Sequence, residues 1–356
     1  MNFEQKLGAA KVAIDRELEH HFNIAISDAE KKDVLLGEAL KYTKEIALAG
    51  GKRIRGALLM QAYFGFGGKE KAKILKVAVA IELVHLFLLV HDDVIDHGDL
   101  RHGKETLHKM LEKKYQKTSK VSAAKHFGES IAIIVGDFLF AMANEIILEA
   151  GFSNKETLQV LLQLQKIVAN TIVGQSQDIN IEYARNASKE DVLAMYENKT
   201  AKYTFEGPLH LGAILAGIEN KKTLLLLSEF ALPLGVAFQI QDDILGVFGS
   251  EKKLGKSVAS DIEEGKQSLL VVDAMSSCSA AERKKINGIL GKKNLKKDEI
   301  VSFQNILNST GALLQAKQQC NAYLQEGSNK LEKIIILPEV KKFLFGMIEH
   351  LKKREV

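Results

Sequence analysis

Residues 71–98 read KAKILKVAVAIELVHLFLLVHDDVIDHG. From Ile74 to Val90 nearly every position is apolar, interrupted only by Lys76, Glu82 and His85. An apolar stretch without alternation predicts a helix hidden on all sides. That helix is expected over 71–97, with Gly98 as its stop. The apolar run is too short and too interrupted to span a bilayer, so no transmembrane segment is expected. Its end is the unusual part. His91-Asp92-Asp93-Val94-Ile95-Asp96 crowds three carboxylates where the helix dipole is already negative. Asp92 and Asp96 share one helix face and repel each other. A divalent cation resolves that conflict.

Outward from this stretch, apolar residues recur at helical spacing. Helices are expected over 5–20, 28–49, 54–64, 128–150, 155–182, 189–200, 201–217, 222–249, 261–275, 280–290, 297–309, 310–327 and 338–354. Residues 101–126 read as a polar loop with short helical pieces. Only three prolines, Pro208, Pro233 and Pro338, break the 356 residues. Apolar residues make up 46% and charged residues 26%, a globular composition that excludes bulk disorder. No convincing strand, fixed-period repeat or linker appears. The reading is one all-α domain over 1–356, a helical bundle around a central cavity.

The net charge of +4 gives no reason to expect nucleic acid. Cys278 and Cys320 fit neither a zinc site nor a disulfide framework, and read as reduced thiols of a cytoplasmic protein. Residues 1–21 are charged throughout and show no signal-peptide core.

A second acidic cluster, Gln239-Ile240-Gln241-Asp242-Asp243-Ile244-Leu245-Gly246, follows another apolar helical stretch. Two such clusters suggest two carboxylate walls on one cavity. All the obvious ligands are oxygens, which suits Mg²⁺ completed by substrate phosphates and water. Gly51-Lys52-Arg53-Ile54-Arg55-Gly56 opens a helix whose backbone N–H groups and basic side chains suit a phosphate.

In order, these pieces resemble the trans-isoprenyl diphosphate synthases of the polyprenyl synthetase family, most closely its short-chain geranylgeranyl members. Gly50 to Arg55 resembles GGKRxR. Asp92-Asp93-Val94-Ile95-Asp96 with Arg101-His102-Gly103 resembles DDxxD followed by RRG. Gly174, Gln175 and Asp178 resemble GQxxD, and Lys199-Thr200 the KT pair. Phe238 to Asp243 resembles FQxxDD, while Gly255-Lys256 and Asp261 to Lys266 match its downstream lysines. The resemblance implies an all-α prenyltransferase that joins isopentenyl diphosphate head-to-tail to an allylic diphosphate and releases pyrophosphate.

The resemblance also implies roles. Asp92, Asp96 and Asp242 hold Mg²⁺, three ions with the diphosphate bound, beside Asp93 and Asp243. Arg101, Lys199, Lys256 and Lys266 clamp the allylic diphosphate. Gly51, Lys52, Arg55, His85 and His102 hold isopentenyl diphosphate. Thr200 and Gln239 turn oxygen dipoles to the allylic cation. A homodimer is expected. Two departures stand out. His102 replaces a permanent charge with a titratable one, so diphosphate binding is expected to weaken as pH rises. Gly246 stands where the second motif usually has its last Asp.

Phe87 and Leu88 lie roughly 6–8 Å below Asp92 along the helix, with Val84 about a turn deeper. A single bulky residue there, without an aromatic neighbour, resembles a C20 synthase. A paired aromatic floor points to C15 and small residues to longer chains. The alternatives are therefore a C15 or C25-and-longer product, or a non-catalytic regulatory subunit. A head-to-head synthase or terpene cyclase fits less well, because the GGKRxR-like segment implies a second diphosphate site.

Overall fold

The computed structural model describes residues 1–116, 120–249 and 260–353. Apart from one two-stranded hairpin, the regular elements among them are all helices, as the sequence predicts. Contacts within the chain group into two compact units, Met1–Leu161 and Leu162–Val356.

The first unit contains α1 (Phe3–Glu30), α2 (Val34–Ala49), α3 (Ile54–Gly65), α4 (Lys71–Ile95), α5 (Leu107–Gln116) and α6 (Val121–Leu148), and the start of α7 (Asn154–Ala184). The predicted break between 20 and 28 is absent. Leu7, Ile14, Leu18, Phe22 and Ile26 keep one buried stripe running through it. The real break follows Glu30, where Asp33 caps α2 by accepting from the Leu35 and Leu36 amides at 2.9 and 3.3 Å. α4 lies at the centre of this unit, against α1, α3 and α6. Ile74, Ala78, Val79, Leu83 and Val84 are fully buried. The expected loop at 101–126 instead opens with β1 (Leu100–Arg101) and β2 (Lys104–Glu105), paired antiparallel. The two residues between them, His102 and Gly103, have φ of 52° and 76°. Two consecutive positive φ angles are what a two-residue hairpin turn requires.

The second unit holds the rest of α7, then α8 (Lys189–Tyr196), a π-helical segment (Glu197–Glu206), α9 (Gly207–Leu215) and α10 (Lys221–Phe248). It continues with α11 (Ser260–Glu264), α12 (Leu269–Ser277), α13 (Ala280–Ile289), α14 (Lys297–Ser309), α15 (Ala312–Leu331) and α16 (Pro338–Lys352). α10 packs on α15 and on the π-helical segment. The expected helices 189–200 and 201–217 meet in that wider segment. The expected helix 261–275 is split by Gly265, whose φ of 84° ends α11.

α4, α6 and α10 are long and apolar enough to cross a membrane by length and composition. This corrects the length argument, because α4 extends beyond the apolar run at both ends. Its apolarity has another cause: 67% of its most apolar window is buried inside the protein.

His108 on α5 is 2% exposed, and neither ring nitrogen has a hydrogen-bond partner among the described residues. The α5 backbone is pressed there onto α6, where a Cβ on Gly128 would lie 2.4 Å from the His108 carbonyl oxygen. Burial, then the charge of Lys109, hold the imidazole pKa down at about 4, against raising contributions from Glu129, Asp99 and Glu112. An unfolded histidine takes up its proton near pH 6.5. The stability due to neutral His108 is therefore complete above pH 6.5 and is lost as pH falls from 6.5 to 4. Thermal melts across that range should show a decline that His108→Leu flattens. Parallel pH profiles for the two proteins would exclude His108 as its source.

Candidate active site

In the first unit the acidic motif closes α4. Asp93 is 6% exposed and grips Arg101, whose Nε donates to its two carboxylate oxygens at 2.9 and 3.0 Å. An Arg101 terminal nitrogen also lies 4.0 Å from Asp92. Burial disfavours the Arg101 charge, but Asp93, then Asp92 and Asp96, more than compensate and raise its pKa. Asp93 is thus a positioning residue for Arg101. Asp92 and Asp96 are half-buried and share one face. Thr106 ties the hairpin back to the end of α4 by donating to the Gly98 carbonyl at 2.7 Å.

The hairpin turn also meets the glycine-rich entry to α3. A Cβ on Gly50 would lie 2.6 Å from the His102 ring, so only glycine lets the two segments touch. Gly51 follows with φ of 87°. Arg53 caps α3 in a left-handed conformation and is 8% exposed. Its Nε donates to Asp15 at 2.6 Å, and Glu82 lies 3.8 Å away while accepting from the Gly56 amide at 2.9 Å. Arg53 is therefore structural. Lys52 is exposed, and Arg55 and His85 are half-buried.

Burial, then the charges of Arg55, Arg101, Arg53 and finally His102, push the His85 pKa well below its ordinary value. Burial, Arg101 and Arg53 lower that of His102. Both imidazoles are thus neutral at pH 7. The expected titration of His102 moves below pH 6.5, and at neutral pH the fixed charges of Lys52, Arg55 and Arg101 remain to attract an anion.

On α4, Phe87 has a neighbour that its helix did not reveal. Its ring centroid lies 5.1 Å from that of Phe140 on α6 and 4.9 Å from that of His91. His91 is held by the Ile133 carbonyl at 3.0 Å. Val84 is fully buried and Leu88 half-buried.

In the second unit the KT pair lies in the π-helical segment, a distortion that concentrates at functional sites. Gly174 on α7 packs directly beneath it: a Cβ there would lie 2.3 Å from the Lys199 amide nitrogen. Lys199 reaches Asp178 at 2.6 Å, joining the GQxxD-like and KT-like pieces. Thr200 donates to Gln239 Oε1 at 2.7 Å, and Gln239 Nε2 donates to Asp243 at 2.9 Å. The Tyr196 hydroxyl donates to the other Asp243 oxygen and accepts from the Leu269 amide at 2.9 Å. Burial raises the Asp243 pKa to about 7. Hydrogen bonds from Tyr196 and Gln239 oppose the rise, Asp261 adds to it, and Lys266 opposes it. Asp243 is thus a hub that orients its neighbours. Lys266 lies 2.8 Å from Glu264 and 3.5 Å from Asp261. Lys256 lies outside the described residues.

The sequence reading did not single out Tyr196 or Phe140, and it read Arg53 as one of the phosphate-facing basic residues. Asp15 on α1 was the available signal for Arg53, but nothing in the spacing links the two. Among the described residues, no three His, Cys, Asp or Glu side chains group closely enough to hold a metal alone. The carboxylates of Asp92 and Asp96 are oxygen donors that suit a hard divalent cation of the magnesium type, which takes one or two carboxylates from protein and the rest from phosphate and water.

The polyprenyl synthetase family profile matches residues 35–307. A short chain isoprenyl diphosphate synthase of Methanocaldococcus jannaschii is 36% identical over 265 residues, 74% of this chain and 75% of that protein. A geranylgeranyl diphosphate synthase of Saccharolobus solfataricus is 32% identical over 299 residues, 82% of each. A crystal structure of geranylgeranyl pyrophosphate synthase from Corynebacterium glutamicum, complexed with isoprenyl diphosphate and magnesium, superposes with a TM-score of 0.90 at 27% identity over the full length of both chains. The chain belongs to the polyprenyl synthetase family and is a prenyltransferase.

Tyr196→Phe removes the donor to half-buried Asp243 and the acceptor for Leu269. A lost hydrogen bond to a charged group costs about 1.5–3 kcal/mol. The thermal midpoint should fall by several degrees and kcat should drop with it, because Gln239 and Thr200 lose their anchor. An unchanged midpoint and kcat would rule out the hub.

Proposed function

We propose that the protein condenses isopentenyl diphosphate head-to-tail with an allylic diphosphate, giving geranylgeranyl diphosphate (C20) and pyrophosphate. One observation carries this reading. In the first unit, Arg101 belongs at once to a carboxylate face, Asp92 and Asp96, and to a basic cluster around His85 and His102. A carboxylate face takes an anion through a cation, whereas a basic cluster takes one directly. An enzyme that joins two diphosphates needs both.

Asp92 and Asp96 would hold magnesium, and so would Asp242, with three ions when diphosphate is bound. When bound, the metal supplies charge stabilisation to the departing pyrophosphate. Arg101, Lys199, Lys256 and Lys266 bind the allylic diphosphate. Asp93, Asp178 and Asp261 hold three of these cations ready. Lys52, Arg55, His85 and His102 bind isopentenyl diphosphate, and Gly51 gives its backbone close access.

The allylic C–O bond breaks and its electron pair leaves with pyrophosphate. The isopentenyl double bond supplies the electrons of the new C–C bond. A proton is then lost to pyrophosphate, and the new double bond forms. The Thr200 hydroxyl commits its proton to Gln239 and turns lone pairs to the cation. The apolar residues of α4 exclude water, which would otherwise capture the cation.

Phe87 closes the product channel. Its contact with Phe140 is the specific observation that favours the C15 reading, since a paired aromatic floor suits a shorter product. The C20 reading stands on Leu86 and Leu88, the neighbours that leave Phe87 alone on its own helix.

A homodimer fits the exposed apolar side chains. Ile133 and Ile134 on α6 are 45% and 51% exposed. On α7, Leu158, Leu162, Ile172 and Val173 are all exposed at spacings that keep them on one helix face. The protein is assigned to the cytoplasm, with no segment crossing a membrane.

Incubation with Mg²⁺, labelled isopentenyl diphosphate and each of the C5, C10 and C15 allylic primers should yield a C20 alcohol after dephosphorylation. Asp92→Ala should remove it. No metal-dependent product from any primer would leave the regulatory-subunit reading. Phe87→Ala should lengthen the product, and adding Phe140→Ala should lengthen it further. An unchanged chain length by mass analysis would retire the floor.

A further inference from the structure

The second acidic motif ends in Gly246, four residues after Asp242 and therefore on the same face of α10. That position is not open space. A Cβ built on Gly246 would lie 1.9 Å from Asp261 Oδ2 and 3.0 Å from its Cγ. The Asp261 carboxylate already occupies the volume that a side chain at 246 would fill.

The backbone that carries Asp261 is held by the chain around it, and Lys266 lies 3.5 Å from its carboxylate. The Asp261 carbonyl accepts from the Lys266 amide at 3.1 Å, and the adjoining Ile262 carbonyl accepts from the Gly291 amide at 2.8 Å. Ile262 itself is 1% exposed. Glu263 accepts from the Leu295 amide at 2.8 Å. A small cavity beside this point is lined by Asp243, Val247, Asp261, Lys266 and Ser268.

We propose that Asp261 is the third carboxylate of the α10 acidic wall, supplied from α11 in place of residue 246, and that glycine at 246 is required to admit it. This rests on the magnesium-diphosphate reading above and adds to it a division of the wall between two helices. The apparent loss of an acidic residue is an exchange of position. Restoring Asp at 246 while Asp261 remains forces two carboxylates into one place, so the substitution that repairs the motif on paper impairs binding in the protein.

The test is calorimetric titration of the full chain with inorganic pyrophosphate and Mg²⁺, alongside thermal melts without metal. Asp261→Ala should weaken binding by about tenfold, in the range for residues that support a metal's ligands. Gly246→Ala should weaken it comparably without lowering the melting midpoint, because alanine favours the helix that it enters. Gly246→Asp alone should also weaken it. The double variant Gly246→Asp/Asp261→Ala should recover most of the loss, a non-additive result expected of residues that share one space. Additive losses, or Gly246→Ala binding as tightly as wild type, would overturn the exchange. Wild-type protein that binds no magnesium pyrophosphate and makes no prenyl product would overturn the proposed function instead.

Discussion

The charge pairing of Asp93 with Arg101 governs the first unit. A carboxylate at the end of a buried apolar helix is expensive unless it is paired and hydrogen-bonded. Asp93 meets that demand by fixing Arg101, on the strand that leads into the His102-Gly103 turn. That turn rests in the notch left by Gly50. One neutralised charge therefore sets the path of two separate sequence motifs. The second unit follows the same rule, with Lys199 at Asp178 and Lys266 at Glu264 and Asp261. Arg101, Lys199 and Lys266, three of the cations assigned to substrate, are each stored against an acid of their own unit.

Much of the fold was legible because apolar spacing reports helices directly. α4 was read to within two residues, and α10 to within one at each end. The misses have local causes. The first break was placed where polar residues thicken around His20 and His21, although the buried stripe passes straight through. The hairpin at 100–105 is too short to show alternation, and its turn uses a histidine in a conformation that usually marks glycine or asparagine. The chain was expected to continue helically past Gly265, but a left-handed glycine ended α11 first.

The residues of the site were legible as types and only partly as roles. The order of motifs identified Asp92, Asp93, Asp96, Asp242 and Asp243 together, but spacing does not say which acid will be buried. Their contacts separate them: buried Asp93 anchors Arg101 and half-buried Asp243 anchors Gln239, whereas Asp92 and Asp96 keep partial exposure. Tyr196 and Phe140 stayed hidden because their contacts span 47 and 53 residues, from Tyr196 to Asp243 and from Phe87 to Phe140. One sequence shows no pairing at such distances.

The π-helical segment at 197–206 carries a consequence for how this chain can change. Such a turn spans five residues per hydrogen-bonded step where an α-helix spans four. Deleting a single residue there restores the narrower winding, so the flanking helices keep their phase while the widened turn between them closes. Lys199 and Thr200, which lie in the widened turn, would then be set differently on the floor formed by Gly174. Length in this segment is therefore a hereditary constraint of its own. Substitutions can drift one at a time, but an insertion or deletion among these ten residues must be answered by a compensating one nearby.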